Sequence, residues 1–127
     1  FLGRDMSVVS RFEMPTASHC IAASEEFIYA SQEYYDIHCF TRDGTEVAKY
    51  EEPDKRIAFP VLAPGGLLFC MLFDEDDSTQ DEIIALDAQT LQPRYRFGHS
   101  LVKDAREMVV VGEELFICDS GNDRLQA

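Results

Sequence analysis

Six carboxylates fall within nine residues, Asp74-Glu75-Asp76-Asp77-Ser78-Thr79-Gln80-Asp81-Glu82. Carboxylates at this density can hold a hard cation such as Ca²⁺ or attract a basic partner. A calcium-binding EF-hand loop counted from Asp74 requires Gly at its sixth position and Glu at its twelfth. The chain has Thr79 and Ala85 there, so that motif is absent. The segment reads as a solvated insertion loop, with Asp74, Glu75, Asp76 and Asp77 as candidate contacts for a partner. Tyr34 and Tyr35 form a second candidate contact, because paired tyrosines in a turn offer large amphipathic surface.

A second polar group is Asp119-Ser120-Gly121-Asn122-Asp123-Arg124. Gly121 and Asn122 suit positive φ in a tight turn. Asp119 at a strand end can accept backbone N–H bonds from that turn, and Arg124 can pair with it across a hairpin. These residues are read as turn architecture. His19, His38 and His99 are scattered without metal-ligand spacing. His38 and Cys39 are neighbours in an extended run and point to opposite faces, a poor nucleophile–base geometry. No G-x-S-x-G, H-E-x-x-H or phosphate-cradling glycine loop occurs. No catalytic residue, metal or cofactor is therefore assigned.

These residues must be positioned by short strands. Helical periodicity is weak, and extended apolar runs recur between Gly, Pro, Asp and Asn. Strands are expected at 7–12, 19–23, 27–31, 36–41, 46–51, 57–62, 67–73, 82–87, 93–97, 107–111, 115–119 and 124–126. This rhythm indicates an all-β sandwich, barrel or propeller. Aligning Phe27–Ser31, Leu67–Met71 and Leu115–Asp119 decides among them. Tyr29, Phe69 and Ile117 coincide, and Ala30, Cys70 and Cys118 form a small-residue column. Ser31 to Ile37 and Asp119 to Leu125 are equally spaced, while Met71 to Ile83 carries the acidic insertion 74–82. Four strands in each unit of about 40–50 residues are the pattern of a propeller blade. The run Leu67-Leu-Phe-Cys-Met-Leu-Phe73 fits a strand buried on both faces.

The segment from Glu114 to Gln126 resembles the NHL repeat at Asp119, Gly121, Asn122, Arg124 and Gln126. The first copy keeps the spacing but has Ser31, Tyr34 and Asp36 at the motif positions. The second keeps only the strands. The resemblance implies a β-propeller of four-stranded blades, usually six, incomplete in this chain. Residues 1–17 are then the end of a preceding blade, 18–52 and 53–98 are blades, and 99–127 is a partial blade. The ring would be completed by more of the chain, a second copy or another subunit, and the break at Ala127 in mid-hairpin favours a longer chain.

The function expected of such a fold is a non-catalytic platform for a protein or peptide partner. Two alternatives are a metal-dependent six-bladed propeller hydrolase or lyase and a structural accessory subunit of a large complex. Twenty-four acidic residues against eleven basic ones, a net charge of −13, argue against nucleic acid as a partner. No apolar run approaches the ~20 residues of a membrane span. Four cysteines (20, 39, 70 and 118) lie inside apolar runs without C-x-x-C pairing, and are read as buried thiols in an intracellular, cytoplasmic protein.

Overall fold

Alternating and continuous apolar runs, cut by glycine and aspartate turns, leave little room for anything but short strands. The structure, a computed structural model, describes residues 18–32, 35–74, 76, 81–99, 102, 105–119 and 124–126. Among these residues the regular elements are strands and no helix. They are β1 (Ser18–Ala23), β2 (Phe27–Gln32), β3 (Asp36–Thr41), β4 (Glu46–Glu51), β5 (Arg56–Ala63), β6 (Leu67–Phe73), β7 (Glu82–Asp87), β8 (Pro93–Phe97), β9 (Ala105–Val111), β10 (Glu114–Asp119) and β11 (Arg124–Gln126). Each coincides with an expected strand to within two residues. The strand expected at 7–12 lies outside the described residues. No described helix is long and apolar enough to cross a membrane.

The strands form three open antiparallel sheets, β1-β2-β3-β4, β5-β6-β7-β8 and β9-β10-β11, each a meander in which sequence neighbours pair. Short turns enforce this. Gly44, with φ +94°, closes the β3–β4 turn, where Asp43 accepts the Thr45 N–H at 3.2 Å. In the β7–β8 turn, Asp87 accepts the N–H groups of Gln89 (2.9 Å) and Thr90 (3.0 Å) and pairs with Arg94 at 2.7 Å. Pro60 lies inside β5 where the register shifts between Ala58 and Val61, so its missing N–H breaks no regular ladder bond. Phe59 beside it takes φ +54° and packs edge-on against Phe73.

Asp87 gives a pH prediction. Arg94 first, then the N–H groups of Gln89 and Thr90, hold its carboxyl far below the usual range. A folded pKa below the unfolded one stabilises the protein above the ordinary carboxylate pKa of about 4, and that contribution fades as pH falls below it. Wild type should therefore exceed Asp87→Asn in melting temperature at pH 7, and the gap should close on acidification. A gap that stays constant with pH would contradict this.

The three sheets stack. Tyr29, Ile37 and Cys39 of the first sheet pack with Ile57, Leu68, Cys70, Leu72, Ile84 and Leu86 of the second. Tyr29 also donates its hydroxyl hydrogen to the Ala88 carbonyl across this seam. Burial, with the Cys39 thiol as a second cause, pushes that hydroxyl up to about 12. The opposite face of the second sheet, with Met71, Ile83, Phe69 and Phe73, packs against Met108, Leu115 and Ile117 of the third. The middle sheet is thus covered on both sides, which is why β6 reads as an unbroken apolar run. Each fully buried Leu or Ile here contributes roughly 1.5–3 kcal/mol. The first strands of successive sheets adjoin, β1 beside β5 and β5 beside β9. The fourth strands β4 and β8 are largely exposed.

Two expectations are corrected. Only Cys39 and Cys70 are buried; Cys20 is partly exposed and Cys118 is exposed. The equal spacing of the first and third hairpins also does not give equal pairing. Ser31 faces Ile37, whereas Asp119 faces Arg124 and Cys118 faces Leu125. A one-residue slip exchanges the faces of a strand. Tyr29 and Phe69 face the sheet that follows them, whereas Ile117 faces the sheet before it and Cys118 turns outward. Burial pushes the Cys39 thiol up to about 11 and that of Cys70 higher still. In a thiol titration of the native protein, Cys118 should react first and Cys20 more slowly. Cys39 and Cys70 should react only on unfolding, and prompt reaction of all four would contradict the packing.

A candidate partner-binding groove

Antiparallel pairing of β3 with β4 brings the start of one to the end of the other, and Asp36 lies opposite Glu51. The Glu52 N–H donates to the Tyr35 carbonyl at 2.8 Å, tying the segment after β4 to the turn before β3. Pro53 follows and ends the run. Tyr35, Asp36, Glu51, Glu52 and Pro53 line an open groove of about 620 Å³. The Tyr35 side of this groove is open to solvent, with 44% of the residue exposed.

Like charges opposite each other on a sheet repel unless partnered. Lys49 pairs with Glu51 at 2.8 Å and holds its carboxyl below the usual range. His38 lies under Asp36, its Nε2 3.0 Å from Asp36 Oδ2, while its Nδ1 is hydrogen-bonded to the Glu46 carboxylate. Asp36 Oδ1 is buried without a hydrogen-bond partner. Cys39, next in the strand, belongs to the core between the sheets, so His38 and Cys39 do face opposite ways. No cluster of His, Cys, Asp and Glu among the described residues has the arrangement to hold a metal ion.

Glu52, which lines the groove, also belongs to a clasp between two sheets. The Arg96 guanidinium, on β8, donates to both oxygens of Glu52 at 3.1–3.3 Å and to Glu82 at 3.1 Å. Lys55 reaches Glu82 at 3.2 Å, and the Tyr50 hydroxyl donates to Glu52 at 2.7 Å. Burial, then the Glu52 carboxylate, pushes the Tyr50 hydroxyl up to about 12. Glu52 is thus neutralised from within; of the other two acids lining the groove, Glu51 is exposed and paired with the exposed Lys49, and Asp36 is half-buried against His38. With Tyr35 in the same groove, that combination suits an ammonium or guanidinium group, through charge and the face of the aromatic ring.

The sequence candidates separate in space. Tyr35 lines the groove; Tyr34, Glu75 and Asp77 lie outside the described residues. Asp74 and Asp76 are not among the residues lining it. Asp76 is exposed, and its N–H donates to Asp74. Asp81 departs from the expected solvated loop: it is fully buried and accepts the Asp74 N–H at 2.9 Å, joining the two ends of the insertion. Asp119 and Arg124 stand opposite each other in the register of the last hairpin; Gly121 and Asn122 lie outside the described residues. Sequence reasoning missed Asp36, Glu51, Glu52 and Pro53. A signal existed in Glu51-Glu52-Pro53, charges crowded against a strand-ending proline, but nothing pointed to Arg96 as the partner. No protein-family model matches the chain, and no curated protein matches it in sequence.

Proposed function

We propose that this chain is part of an NHL-like β-propeller that serves as a non-catalytic platform for a basic peptide or protein segment. Residues 18–52 and 53–98 would be blades and 99–127 a partial one. The blade reading is supported by two successive four-stranded meanders whose first strands adjoin and whose fourth strands lie outermost. The binding reading is carried by one observation: an exposed Tyr35 lines an open groove together with three acids, of which Glu51 is exposed. The high thiol pKa values of Cys39 and Cys70 fit the same reading, since a catalytic cysteine needs its thiolate.

The test is titration of the protein with a labelled hexa-arginine peptide and a hexa-glutamate control at physiological ionic strength. The arginine peptide should bind, and Tyr35→Ala combined with Glu51→Gln should weaken it by about tenfold, equivalent to about 1.4 kcal/mol. Equal binding of both peptides, or binding unaltered by the double substitution, would remove the groove from the proposal.

A further inference from the structure

We propose that the outer edge of β4 is a self-complementary interface, which pairs edge to edge with the β4 of a second copy of this chain. Hydrogen-bond parity defines that edge. The Glu52 N–H donates to the Tyr35 carbonyl at 2.8 Å, and this pair continues the register Asp36–Glu51, Ile37–Tyr50, His38–Lys49 and Cys39–Ala48. Backbone groups in an antiparallel ladder point alternately toward the neighbouring strand and away from it. Those of Glu52, Tyr50 and Ala48 therefore point to β3, and the N–H and C=O groups of Lys49 and Glu51 point away. Among the described residues β4 ends its sheet, so these outward groups meet no further strand. The side chains beside them are open to solvent: Lys49 is 47% and Glu51 65% exposed on the side chain, and Val47 is 48% exposed. In the proposed ring the fourth strands lie outermost, so a neighbouring blade does not cover this edge.

An open strand edge is a template for another strand, and charge decides which strand it accepts. A two-fold axis beside Tyr50 sets Lys49 opposite Glu51 of the second copy, and Glu51 opposite its Lys49. Both are outward-pointing positions, so each pair exchanges both backbone hydrogen bonds. Each lysine then lies between two glutamates, its own at 2.8 Å and that of the second copy. A shift of two residues would set Lys49 or Glu51 against its own kind, so charge fixes the register. Val47 comes opposite Pro53 of the second copy, which has no N–H and ends the ladder. The same patch serves both copies, as a two-fold interface requires. Repulsion between chains of net charge −13 is screened beyond about 8 Å at physiological ionic strength, and the nearest pairs are the favourable ones. The edge of β8 is the contrast. It starts at Pro93 and places Arg94 and Arg96 on one face, where a copy of itself would be repelled.

Sedimentation of the full chain at physiological ionic strength tests this. Wild type should dimerise at roughly 100 μM, the weak end expected of a small interface. Lys49→Glu and Glu51→Lys each set like charges opposite and should weaken the dimer about tenfold or more. An equimolar mixture of those two variants should dimerise as wild type does, because every facing pair is again of opposite charge. The double variant Lys49→Glu/Glu51→Lys should also recover. These two arms separate lost pairing from lost folding. A wild type that stays monomeric to about 1 mM, single variants that dimerise like wild type, or a mixture that stays monomeric would each overturn the proposal.

Discussion

Arg96→Met should destabilise the protein by about 2–3 kcal/mol, toward the lower end of what breaking a buried ion pair costs. The reason is the carboxylate left behind. The Glu52 side chain is only 2% exposed, and after the substitution it would keep one hydrogen-bond donor from a side chain, the Tyr50 hydroxyl. Arg96 itself is 40% exposed on its side chain, so water already screens part of the pair and the cost falls below that of a wholly buried one. Glu82 would lose Arg96 too but keep Lys55. The double variant Glu52→Gln/Arg96→Met should recover much of the loss, because it removes the stranded charge rather than half of a pair. Urea unfolding of the four proteins in the cycle measures this. A single variant within about 0.5 kcal/mol of wild type would mean that the clasp is a solvated surface contact.

Leu86→Ala should cost about 2–5 kcal/mol, the range for emptying a fully buried leucine site that cannot collapse. Leu86 is fully buried on β7, in the cluster that joins the first two sheets, and is packed from both sides. Sheets held at fixed spacing by their other side chains cannot close over the void, so relaxation is limited. Against a total stability of about 5–15 kcal/mol, such a loss brings a domain of this size near its unfolding threshold. Val109→Ala, on the open face of the third sheet, is the control and should fall within about 0.5 kcal/mol of wild type. Denaturant midpoints decide it, and equal costs at the two positions would show that the seam is not packed.

The strands were legible because Gly, Pro and Asp punctuate the apolar runs at turn positions such as Asp43-Gly44 and Asp87. The double burial of β6 was legible because Leu67–Phe73 does not alternate. What could not be read was which face each strand would turn to which neighbour. The alternation of Ile117 and Cys118 is plain in the sequence, but which of them is covered is decided by the face that the third sheet turns to the second. The same limit hid most of the candidate site. Glu52 and Arg96 are 44 residues apart, and each resembles a solvated strand-end charge until two sheets are stacked. Tyr35 was singled out as a contact residue, while the acids beside it were overshadowed by the denser run at 74–82, one of whose carboxylates, Asp81, proved to be an internal tie.

The meander arrangement bears on the route by which the chain acquires its shape. Among the described residues every hydrogen-bonded strand pair joins sequence neighbours, and between strand ends the longest intervening segment within a sheet is the acidic insertion. Closing such short loops costs little entropy, and the cost grows only slowly with length. Local pairing of this kind favours rapid formation compared with folds that join distant strands. Each sheet can assemble on its own as the chain emerges, and the apolar seams then join completed units in order. The insertion in the second unit lengthens one loop without disturbing that order, which makes it the place where this architecture can accept new sequence at least cost.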